Sequence, residues 1–257
     1  MGEELILRCE DSLEGIFTAI YDAFVYKNKM VHPYRDSISI VPGEGSMSLF
    51  AQEIMVVTDE QKVERTVYSI QTRLGFSVYD TLLRTLCHFD ENRATMVLGY
   101  LVRAFSRGCD ISDHLADPYV MRVMELSRKV ENERQKFYGF LRFREAGNVL
   151  VARMEPKCNL APLMMEHFTD RFPNENFIIY DEKRRIAAVH EAFHSSVLVA
   201  GVELDLEQYG KDAFEVLWKQ YVSTMEIGQR HNEHCQNTMM PKWYRKYMFE
   251  TEKKTRF

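Results

Sequence analysis

The chain has 257 residues, 46% of them hydrophobic and 28% charged, an ordinary globular composition that can bury a sizeable core and in which disorder is expected only at the ends. A formal net charge of −5 leaves no overall basic surplus, so a nucleic-acid site has to be a local patch. No basic leader followed by an apolar run, and no stretch of roughly 20 apolar residues, is present, so the expected location is the cytoplasm, with no membrane contact.

Leu5 to Arg8 reads as a strand. Asp11 or Ser12 then caps a helix whose apolar positions Leu13, Ile16, Phe17, Ile20 and Phe24 recur at helical spacing. Ile38 to Val41 and Ile54 to Val57 read as short strands, with Gly43 to Ser46 as a turn. Thr58 with Gln61, and Ser77 with Asp80, mark two helix starts, and Gly75 stops the first of those helices. Asp90 caps a third helix, which Gly108 ends. Asp117 and Pro118 open a long helix towards Phe137 whose polar second half suits a bridge between lobes. The expected domains are 1–113, a strand and helix with a helical block, and 114–257. The expected fold class is α+β, with mixed or antiparallel sheet elements.

Phe140, Arg142 and Arg144 alternate with Leu141 and Phe143 as in a half-buried strand, and Ala146 to Asn148 turn the chain back. On the return strand Val149, Val151, Arg153 and Glu155 share one face. Arg142, Arg144 and Arg153 are thereby expected to meet across a hairpin, with pairing to Glu145 and Glu155 as the bland alternative. Pro162 to Phe172 reads as a short helix. Phe177 to Tyr180 and Ile186 to Val189 form a second hairpin around a polar turn. Asp205 to Gly210 is a loop, and Phe214 to Val222 a helix. From Gln229 to Phe257 seven Lys or Arg residues face three Glu, a local charge of +4, with Trp243, Tyr244 and Tyr247 interleaved. Basic side chains with aromatics suit phosphate contact and base stacking; a tail docked through its aromatics is the alternative.

His190-Glu191-Ala192-Phe193-His194 matches the zinc-hydrolase pattern H-E-x-x-H, which needs a helix to bring both imidazoles to one face. Here the motif follows a hairpin and runs into the strand formers Val197 to Val199, so no metal is expected; a zinc-dependent hydrolase using His190, Glu191 and His194, and a non-catalytic structural scaffold, are the alternative readings. His231, His234 and Cys235 lack a partner pair of ligands. Cys9, Cys87, Cys109, Cys158 and Cys235 are widely spaced, with no Cys-x-x-Cys, as fits separate thiols better than disulfides or a cluster. No phosphate-binding loop, dinucleotide fingerprint or nucleophile elbow occurs. The residues therefore assign no catalytic group, and no cofactor is expected.

GFLRFRE (139–145), ARMEPK (152–157), APLMMEHFTDRFPNENFIIYDEKR (161–184) and the tail pattern formed by Arg230, Asn232, Gln236, Met240, Pro241, Lys242 and Tyr244 resemble a bacterial family described as probable DNA metabolism proteins. The likeness is dense over the C-terminal half and looser over the first strand and helix. Members of that family tend to be encoded beside a radical-SAM protein of DNA modification or repair, and some are fused to a domain like uracil-DNA glycosylase. The motifs of that domain are missing here, so the likeness is to the stand-alone type. The resemblance implies an accessory role in DNA repair or modification, with nucleic acid, a radical-SAM partner or both as ligands. The residues expected to serve it are Arg142, Arg144, Glu145, Arg153, Lys157, Arg171, Arg230, Asn232, Gln236, Lys242, Trp243 and Tyr244.

Overall fold

The structure, a computed structural model, describes residues 4–29, 38–43, 51–204, 213–225 and 232–251. The chain folds as two compact units, residues 1–131 and 132–257, and the fold is α+β.

In the first unit, strand β1 (Glu4–Cys9) is buried at every position after Glu4. It is the central strand of a three-stranded sheet, flanked by β2 (Ile38–Pro42) and β3 (Ala51–Met55). Both neighbours run parallel to β1. An unbroken apolar run such as Leu5-Ile6-Leu7 suits such a strand, since both its faces are covered. Helix α1 (Leu13–Lys29) packs on β1 and β2 and starts where Ser12 Oγ accepts the Gly15 N–H at 3.0 Å. A Cβ on Gly15 would lie 2.6 Å from the Glu10 carbonyl oxygen, so glycine is what lets the chain turn tightly into the helix.

Helices α2 (Glu60–Leu74), α3 (Phe76–Leu86) and α4 (Arg93–Arg107) form the helical block. Asp59, rather than Thr58, caps α2, its carboxylate accepting the N–H groups of Gln61 and Lys62. Gly75 ends α2 at φ +89° and leads straight into α3, which has no side-chain cap; the pair Ser77 and Asp80 lies inside the helix. Asp90 accepts the Asn92 N–H and pairs with Arg122 just ahead of α4. Leu7, Ile16, Ile20, Ile40, Ile70, Leu82 and Leu101 make up the centre of this unit's core.

Helix α5 (Pro118–Phe140) begins with its expected cap, the Asp117 carboxylate accepting the Tyr119 N–H at 2.9 Å. The division between the units falls within α5, later in the chain than the expected boundary at 113/114.

The second unit carries a five-stranded mixed sheet in the order β4-β5-β6-β7-β8. β4 (Phe143–Ala146) pairs antiparallel with β5 (Val149–Met154), and Gly147 takes the positive φ of +65° in the turn between them. Helix α6 (Ala161–Arg171) connects β5 to the parallel strand β6 (Phe177–Asp181). β7 (Ile186–His190) returns antiparallel, as its hairpin pattern predicts, and β8 (Val197–Ala200) closes the order. Phe143, Phe168, Phe172 and Phe177 pack edge to face under the sheet. Helices α7 (Ala213–Met225) and α8 (Glu233–Met239) follow, then 3-10 turns at Lys242–Arg245 and Phe249–Thr251. Among the described residues, no helix is long and apolar enough to cross a membrane.

One expectation needs correction. Phe140 belongs to α5, not to a strand, and Arg142 sits between helix and strand, because Phe137 and Phe140 extend the helix to pack on Tyr244. The stretch from His190 to His194 is not a helix. His190 ends β7 with its ring buried against Phe177 and its Nδ1 3.0 Å from Ser196 Oγ, while Glu191 and His194 face solvent. That geometry splits the two imidazoles, and no group of three His, Cys, Asp or Glu among the described residues is placed to hold a metal.

Candidate nucleic-acid interface

Three arginines of the expected site lie near one another in the second unit, and each is matched by a carboxylate distant in sequence. Arg142 donates from Nε and Nη2 to Glu250 Oε1 at 3.2 and 2.7 Å, and from Nη1 to the carbonyls of Gly139 and Leu141. Arg144 Nε lies 3.5 Å from Glu215 Oε2. Arg153 pairs with Glu182. Glu155, a face-mate of Arg153, pairs with Lys246. Arg144 and Arg153 do share a face of the β4–β5 hairpin, since Arg144 stands opposite Val151. Their partners come from the β6–β7 turn, α7 and the tail, not from Glu145 or Glu155.

The tail lies over this face through its rings. Arg144 stands over Phe249 and Arg153 over Tyr247, at 4.9 and 5.1 Å from the ring centres, while Arg142 stands over Trp218 of α7 at 5.7 Å. The Tyr247 hydroxyl donates to Glu182. Each such contact contributes about 0.5–1 kcal/mol where partly exposed, and the two to Phe249 and Tyr247 help fix the 247–249 segment. Burial pushes the Glu250 carboxyl up, but the Arg142 hydrogen bonds outweigh it and leave it below its ordinary value. The Lys246 ammonium, donating to Glu155, likewise holds that carboxyl low.

Lys157 differs from the arginines. It is exposed, it makes no ion pair among the described residues, and its Nζ stands 5.8 Å from the centre of the Trp243 ring. The loop that carries it is held on both sides. The Glu133 carboxylate accepts the N–H groups of Lys157 and Cys158 at 2.8 and 3.0 Å, and Arg184 donates to the carbonyls of Pro156 and Lys157 at 3.1 and 2.5 Å. Trp243 is 47% exposed, which leaves ring surface open to solvent. Its neighbour Tyr244 is anchored against Phe137 and Phe140, with Lys136 over its ring at 5.4 Å. Burial, with Glu133 and Cys158 nearby, pushes the Tyr244 hydroxyl up to about 12. Lys136 and Lys242 are exposed and, like Lys157, have no ion pair among the described residues. Lys157 beside the Trp243 ring, Lys136 beside the Tyr244 ring and Lys242, the sequence neighbour of Trp243, thus place three exposed cations along this part of the tail.

The remaining expected residues divide. Asn232 caps α8, accepting the Cys235 N–H at 2.9 Å. Gln236 has an exposed side chain, and its carbonyl accepts from Arg245. Arg171 stacks on Phe172 at the end of α6, where a cation suits the helix dipole. Glu145 is exposed on β4. Arg230 and His231, and the expected loop from Asp205 to Gly210, lie outside the described residues.

Sequence reading missed Lys136, which the polar half of a long helix disguises as a solvated position. It also missed Glu133, Glu182, Glu215 and Glu250 as partners, because nothing local marks a carboxylate that pairs across 108 positions, as Glu250 does with Arg142. A search of curated proteins finds no match to the chain. A scan against protein families matches residues 91–250 to a domain of unknown function, DUF4130. That span takes in α4, α5, the whole five-stranded sheet and the tail as far as Glu250, more than half of the 257 residues, and the chain therefore belongs to the DUF4130 family.

Proposed function

We propose that the protein is a nucleic-acid-binding accessory factor of DNA repair or modification, contacting single-stranded DNA through Lys136, Lys157, Lys242 and Trp243. The observation that carries this reading is the set of three exposed lysines that make no ion pair among the described residues, one of them beside a half-exposed indole and another over the neighbouring Tyr244 ring. Phosphates require unneutralised cations, and an unpaired base stacks on an open aromatic face. The loop that presents Lys157 is already hydrogen-bonded in place, so little ordering is needed on binding. The resemblance to probable DNA metabolism proteins supports the context and adds a radical-SAM protein of DNA modification or repair as the partner.

Fluorescence anisotropy with a labelled single-stranded oligonucleotide at low salt tests the DNA contact. Replacing Lys157 and Lys242 with alanine should weaken binding about tenfold or more while leaving the fold intact, because neither residue makes an ion pair among the described residues. Absence of binding by the unaltered protein, or an unchanged affinity in the double variant, overturns the assignment. Co-purification with the radical-SAM protein, with and without DNA, tests the partner.

A second reading, a non-catalytic scaffold, is favoured by one observation: Arg142, Arg144 and Arg153 are all matched by carboxylates and overlain by aromatic rings. Under that reading their replacement changes stability and leaves binding untouched.

A further inference from the structure

An open groove of about 740 Å³ runs between the end of α5, β4 and α7, lined by Gly139, Arg142, Phe143, Glu215, Trp218 and Phe249 among others. Half of its lining is aromatic, and its charged groups are Arg142, which is paired with Glu250, and the Glu215 carboxylate. The Glu215 side chain is only 1% exposed and yet borders the groove. Glu215 Oε1 accepts from Lys219 at 2.9 Å, whereas Oε2 accepts no hydrogen bond among the described residues, Arg144 Nε standing off at 3.5 Å. A buried carboxylate oxygen without a donor is costly, and native proteins rarely leave one so unless something else supplies the hydrogen. Beside it, Trp218 and Tyr221 stack on each other at 5.7 Å, and about half of each side chain is exposed on α7.

We infer that this groove binds a flat heterocycle carrying an exocyclic amine, of the kind presented by an unpaired cytosine, adenine or guanine base. The rings supply the stacking surface, and Glu215 Oε2 accepts the amine N–H. The volume lies within the range of small-molecule sites, where a few polar groups among apolar walls fix orientation. Thymine and uracil are disfavoured, because the carbonyls flanking their ring N–H would face the carboxylate. The groove shares no residue with the Lys136, Lys157, Lys242 and Trp243 surface, so the two assignments stand or fall separately.

The chain has two tryptophans, Trp218 and Trp243, so a Trp243→Phe variant makes Trp218 the only indole and its fluorescence a reporter of the groove. Deoxycytidine, thymidine, oligo(dC) and oligo(dT) are the probes. The expected result is quenching of Trp218 by the cytosine-bearing probes at concentrations about tenfold or more below those that thymine-bearing probes require. Tyr221→Ala, an exposed position, should weaken the cytosine response by about tenfold, as stacking losses do. Glu215→Gln should erase the preference for cytosine; because that change also disturbs Arg144 and Lys219, the base preference of the Trp243→Phe protein itself is the deciding measurement. A response to deoxycytidine and oligo(dC) alike means that the free nucleoside suffices, and a response to oligo(dC) alone assigns the base to a strand. No response to any probe, or equal responses to cytosine and thymine that Tyr221→Ala leaves unchanged, overturns the inference.

Discussion

The Glu250 carboxylate ties a 3-10 turn of the tail to the end of α5, and its protonation state decides whether that tie holds. Its value is lowered in the folded chain relative to an ordinary carboxylate. The stabilisation is therefore fully present above the unfolded-state pKa of about 4.3 and is lost as pH falls through the lower folded value. Glu155, held low by Lys246, acts in the same direction. Chemical denaturation followed by tryptophan fluorescence should show stability falling as pH drops below about 4, since both indoles lie in the second unit. Replacing Arg142 with leucine should remove about 3 kcal/mol at pH 7, because it leaves a mostly buried carboxylate without its countercharge. A variant as stable as the parent at pH 7 would show that the pair contributes nothing net.

At the scale of elements, the approach of α4 to the start of α5 rests on one small residue. A Cβ on Gly99 would stand 2.1 Å from Tyr119 Cδ1, and Tyr119 is itself held under the Arg103 guanidinium at 4.1 Å. Arg103 donates to Asp117 Oδ2 at 2.5 Å and to the Gly99 carbonyl at 3.0 Å, so the ring has little freedom to yield. Gly99→Ala should destabilise the protein by about 1–3 kcal/mol, read as a lowered midpoint in thermal unfolding followed by circular dichroism. An unchanged midpoint would mean that the helices separate at no cost. Much of this level was legible in the sequence. The terminators Gly75 and Gly108, the Asp117-Pro118 start of α5 and the β6–β7 hairpin all depend on local chemistry. The parallel pairing of β1 with β2 and β3 and of β5 with β6, the run of α5 through Phe140, and the partners of the arginines were not legible. Each is decided by contacts between segments far apart in sequence, and Phe140 in particular follows Tyr244 rather than its neighbours.

For the whole molecule, a net charge of −5 repels a polyanion at long range, so DNA binding through three lysines has to be short-ranged and sensitive to salt. Each phosphate contact to a single strand contributes about −0.7 to the slope of log affinity against log salt, and three lysines therefore give a slope of about −2. The Lys157→Ala, Lys242→Ala double variant should bring it near −0.7, measured by anisotropy across a salt series. A slope that does not change would exclude these side chains from phosphate contact. The tail has a further consequence for any shortened form of the chain. It brings the Glu250 carboxylate, Tyr247 and Phe249 onto the face that holds Arg142, Arg144 and Arg153. Cutting the chain before Pro241 removes that cover and the Glu250 countercharge of Arg142, leaves Arg144 and Arg153 paired with Glu215 and Glu182, and takes Lys242 and Trp243 away. Such a fragment, having lost six Lys or Arg and only two Glu, should elute earlier than the intact protein from heparin, the tail being the basic end of an acidic chain.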